Sequence, residues 1–211
     1  MINEKLKKYI EDNILPRYEN NYIGDGRDRI DYVINRSKQI IENNNLNIDW
    51  NILYTAICYH DIRTNNEEKE HELISAKIMY DDDFLKAFFS KEDRLLIKEA
   101  IEDQRAKLED EPRNIYGRIL SSASRNSTVE QCLERSYKYG KKKNPNATDE
   151  EIFEGAYNAL LDKFGKDGKA NFFFKDTTYE QFLHDIRVLL SDKDKFIEKQ
   201  REHILKLNNR K

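Results

Sequence analysis

The amino-acid sequence predicts an all-α protein that forms one helical domain over residues 1–211. Only three prolines and seven glycines occur among the 211 residues, which leaves room for long helices. Apolar residues recur about every 3.6 residues along most of the chain, and no segment shows the strict alternation of a half-buried strand. A single core usually grows to roughly 150 to 250 residues before it divides, so a chain of this length predicts one domain.

The first predicted helix covers about residues 4–15 and ends before Pro16, because proline lacks the main-chain N–H that would continue it. A polar loop that contains Gly24 and Gly26 follows. The second predicted helix, residues 28–43, ends at three consecutive asparagines.

The third predicted helix is almost wholly apolar and ends at His60-Asp61. Asp49 is its expected N-cap, because a short carboxylate side chain accepts hydrogen bonds from the first unpaired amides of a helix. The remaining helices are expected to be amphipathic and to cover about residues 68–80, 91–103, 114–126, 128–142, 148–164, 178–190 and 192–207.

Charge, cysteine content and hydropathy exclude several classes of protein. The 37 Lys and Arg nearly balance the 40 Asp and Glu, so no long-range field indicates nucleic acid or an anionic membrane. Cys58 and Cys132 both fall in apolar helical patterns, which is typical of buried thiols in a reducing compartment. The charged N-terminus lacks the apolar centre of a secretory signal, and the longest apolar runs are far short of the roughly 20 residues that cross a membrane. We expect a soluble, cytoplasmic protein.

The dipeptide His60-Asp61 needs an explanation, because it lies at the end of an apolar helix whose side chains would otherwise fill a core. Adjacent imidazole and carboxylate groups can bind one divalent cation if the chain turns there. A His near the negative end of the helix dipole and an Asp that caps the following loop would explain the same residues without a metal. The dipeptide alone favours this structural interpretation.

Four segments between residues 24 and 126 place the dipeptide in a wider pattern. They are GDGRDRIDYVINRS (24–37), YHDI (59–62), HELISAKIM (71–79) and EDQRAKLEDEPRNIYGRILSSASRN (102–126). In order, spacing and flanking residues they resemble bacterial HD-domain proteins. The resemblance implies an HD core at about residues 20–130, C-terminal helices at about 128–207 packed on it, and the activity of a metal-dependent phosphohydrolase. In that family a His early in one helix, a His-Asp pair and an Asp on a later helix converge on the metal.

Two of the four metal-ligand positions implied by the resemblance hold poor ligands. Arg29 occupies the position of the leading His, and its guanidinium has donors but no usable lone pair. Ser124 occupies the position of the final Asp, and a neutral hydroxyl is a much poorer ligand than a carboxylate. His60 and Asp61 remain as a residual pair, which predicts a weak or empty metal site.

Other positions around the implied site depart from the family pattern as well. Asp25 stands where a further His is common, Arg63 where a Gly follows the His-Asp pair, and Gln104 where a His is expected. His71 is retained. It either hydrogen bonds a phosphate or a water in the pocket, or has no role beyond starting its helix.

Three arginines, Arg105, Arg113 and Arg125, lie in the same region. Each could offer a planar fork to a phosphate or pair with the abundant carboxylates, and the sequence favours neither. The residues predicted to line the pocket are Arg29, Ser124, Asp25, Asp28, Arg63, His71, Gln104, Arg105 and Arg125.

The sequence favours a degenerate HD-domain protein that is weak or inactive on phosphate esters and needs no cofactor. Its pocket would bind a small phosphate-bearing molecule or have a structural role. We expect the Arg29 guanidinium to take the place of the metal and to pair with Asp61 in a largely buried site, because a buried carboxylate needs a counter-charge.

Two other hypotheses remain open. The chain could be an active metal-dependent phosphohydrolase on a nucleotide or other phosphomonoester, with Mn, Mg, Co, Ni or Fe as the metal. Asp61 would then be essential, with Asp25, Asp28 or His71 as substitute ligands. The chain could also be a helical module that binds a protein partner which the sequence does not identify, and an exposed apolar patch would favour that hypothesis.

Overall fold

The computed structural model describes residues 2–19, 26–62, 71–104, 111–166, 168 and 173–209. Within these ranges every regular element is helical and no strand occurs, which confirms the predicted all-α fold class. None of the described helices is long and apolar enough to cross a membrane. The helices are α1 (Glu4–Asn13), α2 (Pro16–Glu19), α3 (Gly26–Asn43), α4 (Trp50–Tyr59), α5 (His71–Asp81), α6 (Asp83–Phe88), α7 (Lys91–Glu102), α8 (Ile115–Ala123), α9 (Val129–Lys143), α10 (Asp149–Phe164), α11 (Thr177–Leu190) and α12 (Lys193–Asn208).

Contacts within the chain divide it into two compact units. The first comprises Met1–Ser124 and Phe172–Lys175, and the second comprises Arg125–Asn171 and Asp176–Lys211. Each unit has its own cluster of buried apolar side chains. The sequence predicts one domain because its composition is uniform, and the boundary between the two units lies close to the predicted end of the HD core.

Helix α4 lies inside the first unit because it is apolar on all sides. Every residue from Ile52 to Tyr59 is buried, as expected of a helix that is hydrophobic all round. Helices α1, α3, α5, α7 and α8 all contact it. The turn that follows α4 therefore lies among several helices, and His60 in this turn is only 4% exposed.

Helix α8 packs closely against α7 at Gly117. A Cβ atom there would lie 3.0 Å from Pro112 Cβ and 3.4 Å from Ala100 Cα, so the close approach of the two helices favours glycine. Asn114, the N-cap of α8, accepts a hydrogen bond from Gly117 N at 3.0 Å and donates one to a carbonyl oxygen of α7 at 3.1 Å. These contacts fix α8, which also packs on α3, and so set the position of its C-cap, Ser124.

The second unit consists of α9 to α12. Helix α10 contacts the other three, and the core between them contains Phe164, Phe182 and Phe196. Phe164 and Phe182 meet edge to face with ring centroids 5.2 Å apart, the geometry that aromatic quadrupoles favour. Thr148 and Glu151 form a capping box at the start of α10, which satisfies main-chain amides that have no partner within the helix.

Two short helices differ from the prediction. Pro16, which was expected only to end the first helix, also begins α2, because the first turn of a helix does not need the missing N–H of proline. Helix α6 begins at the N-cap Asp82, whose carboxylate accepts a hydrogen bond from Leu85 N at 3.1 Å. The other predicted helices agree with the observed ones to within a few residues, except that residues 68–70 of the fourth lie outside the described residues.

Candidate functional site

The turn after α4 carries His60 and Asp61 and begins where the helix ends at Tyr59. A helix leaves its last carbonyl groups without partners inside the helix. Here His60 Nδ1 lies 2.6 Å from the main-chain oxygen of Ile57. Because a carbonyl oxygen only accepts, Nδ1 must carry the proton of this hydrogen bond. In a neutral imidazole this leaves Nε2 as an acceptor.

Two side chains from outside α4 hydrogen bond to the main chain of the same turn. The Tyr18 hydroxyl donates to Cys58 O at 2.9 Å and accepts from Asp61 N at 3.2 Å. Gln104 Nε2 donates to His60 O at 2.6 Å. Tyr18 is buried, and burial is the main reason why the pKa of its phenol lies well above the usual value. The hydroxyl therefore keeps its proton and can donate.

The imidazole of His60 is in an environment that favours its neutral form. Burial lowers its pKa from the ordinary value, because a buried charge loses hydration. The Asp61 carboxylate and the Ile57 carbonyl oppose this effect, whereas the positive charge of Arg29 adds to it, as does His71 when it is protonated. A neutral His60 with its proton on Nδ1 is the state that these groups favour together.

Arg29 and Ser124, the positions of two implied metal ligands, are in direct contact. Arg29 Nη2 donates a hydrogen bond of 2.5 Å to the main-chain oxygen of Ser124. Ser124 is the C-cap of α8, where the helix dipole favours a cation. The Arg29 guanidinium also lies 5.4 Å from the ring centroid of Tyr32 on the same helix. The structure thus brings Arg29 and Ser124 together, near enough to His60 for the charge of Arg29 to lower the pKa of its imidazole.

The Asp61 carboxylate has a different partner from the predicted one. His71 Nε2 lies 3.8 Å from Asp61 Oδ1, and the Asp61 side chain is 52% exposed. On its other side, His71 Nδ1 lies 3.2 Å from the largely buried Glu72 carboxylate. Within the described part of the chain no ion pair joins Asp61 to Arg29. The prediction of a largely buried Arg29–Asp61 pair is therefore wrong, because Arg29 is held at the end of α8 while Asp61 points towards the start of α5.

The remaining predicted pocket residues are not all brought to this place. Asp28 is exposed on the first turn of α3. Arg125 belongs to the second unit, where its guanidinium lies 5.0 Å from the ring centroid of Tyr179. The predicted pocket residues that lie outside the described part of the chain are Asp25, Arg63 and Arg105.

Arg113 engages carboxylates next to it. Its Nε and Nη2 atoms lie 2.8 to 3.1 Å from the carboxylate oxygens of Asp103, and Nη2 lies 2.6 Å from Glu102. The hydrogen bonds to Asp103 are the largest reason why the pKa of Arg113 is raised above its ordinary value. Of the two interpretations that the sequence left open for Arg113, pairing with carboxylates is the one observed. The pair also anchors the end of α7, directly before Gln104.

The described residues do not make up a complete site for a divalent metal. In the part of the chain that the structure describes, no three His, Cys, Asp or Glu side chains are grouped as a metal site. At the implied ligand positions, His60 Nε2 and the Asp61 carboxylate are suitable donors. The guanidinium of Arg29 is not, and the carbonyl oxygen of Ser124 accepts its hydrogen bond.

Two residues of the site were missed by sequence reasoning. Tyr18 acts on main-chain groups 40 and 43 residues away, and no local pattern announces such a contact. Glu72 directly follows His71 in the sequence, so its contact with the His71 ring could have been predicted from the adjacent histidine and glutamate.

Comparison with known proteins gives no match, whether with protein-family models, with curated proteins or with solved structures.

Proposed function

We propose that this chain is an HD-like helical protein in which Arg29 replaces the metal, and that it binds a small phosphate-bearing anion with weak or no hydrolysis. The observation that carries the proposal is the hydrogen bond of 2.5 Å between Arg29 Nη2 and Ser124 O. These two positions are the ones at which the resemblance implies metal ligands.

In this proposal Arg29 has two roles that a metal would otherwise have. It joins the start of α3 to the end of α8 through the Ser124 carbonyl, and it supplies a positive charge that does not depend on pH. A guanidinium matches the geometry of phosphate oxygens with a planar set of donors. A phosphate group is therefore the ligand chemistry that suits this position best.

His60 complements this charge with a hydrogen-bond acceptor. Because its Nδ1 proton is used by Ile57 O, its Nε2 can accept from a protonated phosphate oxygen or from a hydroxyl of the ligand. His71 Nε2 lies 3.8 Å from Asp61 Oδ1, so a protonated His71 would reduce the repulsion between that carboxylate and an anion.

Hydrolysis is expected to be weak because no described group replaces the chemistry of a metal. A metal in such a site polarises the phosphoryl group and lowers the pKa of a bound water. A guanidinium can stabilise charge on phosphate oxygens, but it has no vacant position at which a water could be coordinated.

Calorimetric titration with inorganic phosphate, in the presence of a chelator, tests the binding function. We expect saturable binding by the wild-type chain and by Arg27→Ala, and loss of binding in Arg29→Ala. Arg27 is an exposed residue of the same helix, so the control removes the same charge two residues away. Equal binding by all three proteins, or none by any, would contradict the proposal; in the second case the Arg29–Ser124 bond has a structural role only.

An active metal-dependent phosphohydrolase is the second candidate, and one observation favours it. His60 Nε2 keeps its lone pair, and the next residue, Asp61, has a half-exposed carboxylate. Both groups are of the types that bind a metal. Turnover of phosphomonoesters that is stimulated by Mn, Mg, Co or Ni and lost in Asp61→Ala would select this candidate. No comparable observation supports a protein-interaction module, since the large apolar side chains exposed among the described residues are spread over seven helices.

A further inference from the structure

Tyr18 and Gln104 hydrogen bond to the main chain around His60: Tyr18 to Cys58 O and Asp61 N, and Gln104 to His60 O. We propose that they are positioning residues, which keep the His60 proton on Nδ1 and so leave Nε2 as the acceptor for the ligand. The role of Nε2 towards a ligand rests on the proposed function. The control of the His60 ring by Tyr18 and Gln104 does not.

The effect of Tyr18 follows from a competition for one carbonyl oxygen. If α4 continued, Asp61 N would donate to Ile57 O, four residues earlier. The backbone of His60 still has helical angles, with φ −58° and ψ −26°, so this bond is sterically close to forming. Instead Asp61 N donates to the Tyr18 hydroxyl, and Ile57 O accepts from His60 Nδ1. By accepting from Asp61 N, Tyr18 leaves Ile57 O available to the His60 ring.

The same hydroxyl also secures the preceding turn. It donates to Cys58 O at 2.9 Å, so one buried group serves as acceptor for Asp61 and as donor to the helix end. Ile62 N turns back to Tyr59 O at 3.3 Å, which closes the turn after His60. The Tyr18 hydroxyl therefore stands where a regular helix would place its next main-chain partners.

Gln104 binds the carbonyl of the peptide group whose N–H donates to Tyr18. Its amide nitrogen holds His60 O at 2.6 Å, which fixes the peptide plane between His60 and Asp61. Gln104 follows Asp103, which is itself buried and bound to Arg113, so the donor approaches from a fixed main chain. Rotation of this peptide would move Asp61 N away from the Tyr18 hydroxyl, so the two side chains support the same geometry.

Tyr116 provides a matched control at the opposite end of α4. It is a buried tyrosine, like Tyr18, and its hydroxyl accepts from Asp49 N at 3.2 Å. Asp49 is the N-cap of α4, so Tyr116→Phe removes one hydroxyl–main-chain hydrogen bond from the same helix without touching His60.

The protonated ring nitrogen can be read directly by long-range ¹H–¹⁵N correlation spectra of the histidine rings. Spectra are recorded above the ordinary histidine pKa of about 6.5, with the His60 signal assigned by its loss in His60→Asn. We expect one tautomer of His60, protonated on Nδ1, in the wild type and in Tyr116→Phe. In Tyr18→Phe and Gln104→Met we expect both tautomers, because Ile57 O can then accept from Asp61 N.

Phosphate binding is measured on the same proteins. In Tyr18→Phe and Gln104→Met the dissociation constant for inorganic phosphate should rise roughly 5-fold, the change expected for the loss of one ordinary hydrogen bond. Gln104→His keeps a side-chain donor and should retain the single tautomer and the wild-type affinity. This rescue separates positioning from a general loss of stability.

An unchanged His60 tautomer in both Tyr18→Phe and Gln104→Met would overturn the proposal. If Tyr18→Phe does not fold, as judged by circular dichroism, Gln104→Met and Gln104→His decide the matter alone. A wild-type chain that ignores phosphate while its His60 tautomer responds to both substitutions would contradict the proposed function but support the positioning role. A wild type that binds phosphate while its His60 tautomer does not respond would support the proposed function but contradict the positioning role.

Discussion

Arg29 Nη2 donates a hydrogen bond of 2.5 Å to the main-chain oxygen of Ser124, 95 residues further along the chain. The bond joins the first turn of α3 to the C-cap of α8 in the first unit. It holds the guanidinium, whose charge helps to lower the pKa of the buried His60.

Arg29→Ala should lower the free energy of unfolding by roughly 1.5 to 3 kcal/mol, the usual contribution of a hydrogen bond to a charged group. Arg27→Ala, which removes an exposed charge from the same helix, should change it by less than about 0.5 kcal/mol. Urea unfolding followed by circular dichroism gives both values. Equal effects of the two substitutions would mean that the Arg29–Ser124 bond contributes nothing of its own.

The double substitution Arg29→His with Ser124→Asp should recover binding of a divalent metal. It restores the two ligands implied by the resemblance next to His60 and Asp61, and it removes the positive charge that opposes a cation. The midpoint of thermal unfolding should then rise with Mn²⁺ concentration, because a metal that binds only the folded state stabilises it. Each single substitution serves as a control and should respond much less. A double variant that ignores the metal would show that the site differs in shape as well as in ligands.

His60 should make the protein less stable in acid. Its pKa is lowered in the folded state, chiefly by burial, so the unfolded chain binds a proton more readily. Stability is therefore full above the unfolded histidine pKa of about 6.5 and falls as the pH drops below it. Urea unfolding at pH 8 and pH 5 should show a smaller loss for His60→Gln than for the wild type. His184→Gln, at an exposed position, should behave like the wild type; a His60→Gln variant that did the same would contradict this account.

Arg113→Ala should cost about 2 to 3 kcal/mol of unfolding free energy, because it strips charge-assisted hydrogen bonds from a buried carboxylate. Asp103 is only 7% exposed and accepts from three nitrogens of Arg113, of which the main-chain one would remain. Arg118→Ala removes an arginine of similar exposure, paired at 3.4 Å with Glu111, whose side chain is 67% exposed, and should be nearly neutral. Chemical denaturation compares the two, and a neutral Arg113→Ala would argue against the role of Asp103 as an anchor.

Most helix boundaries could be predicted because the signals that set them are local. Asp49, Thr128 and Thr148 precede apolar periodic segments, and each caps the helix that follows it. The short helix α6 was missed because six residues are too few for a clear apolar period. Uniform composition also gave no sign that the contacts would divide the chain into two units.

The candidate site was only partly predictable. The resemblance indicated that Arg29, Ser124 and His60 belong to one place, and the structure shows the contact between Arg29 and Ser124 and an effect of the Arg29 charge on the pKa of His60. It could not indicate that the partner of Arg29 would be a main-chain oxygen, because any residue at position 124 carries that oxygen. The role of Tyr18 was equally hidden, since it depends on which main-chain groups the end of α4 leaves without partners.

Elemental analysis of the wild-type chain, purified without a chelator, tests most directly whether Arg29 replaces the metal. The same protein is then assayed on phosphomonoesters with added Mn, Mg, Co and Ni. With Arg29 in place we expect substoichiometric metal and no metal-stimulated turnover. A stoichiometric transition metal, together with turnover that is lost in Asp61→Ala, would contradict the account.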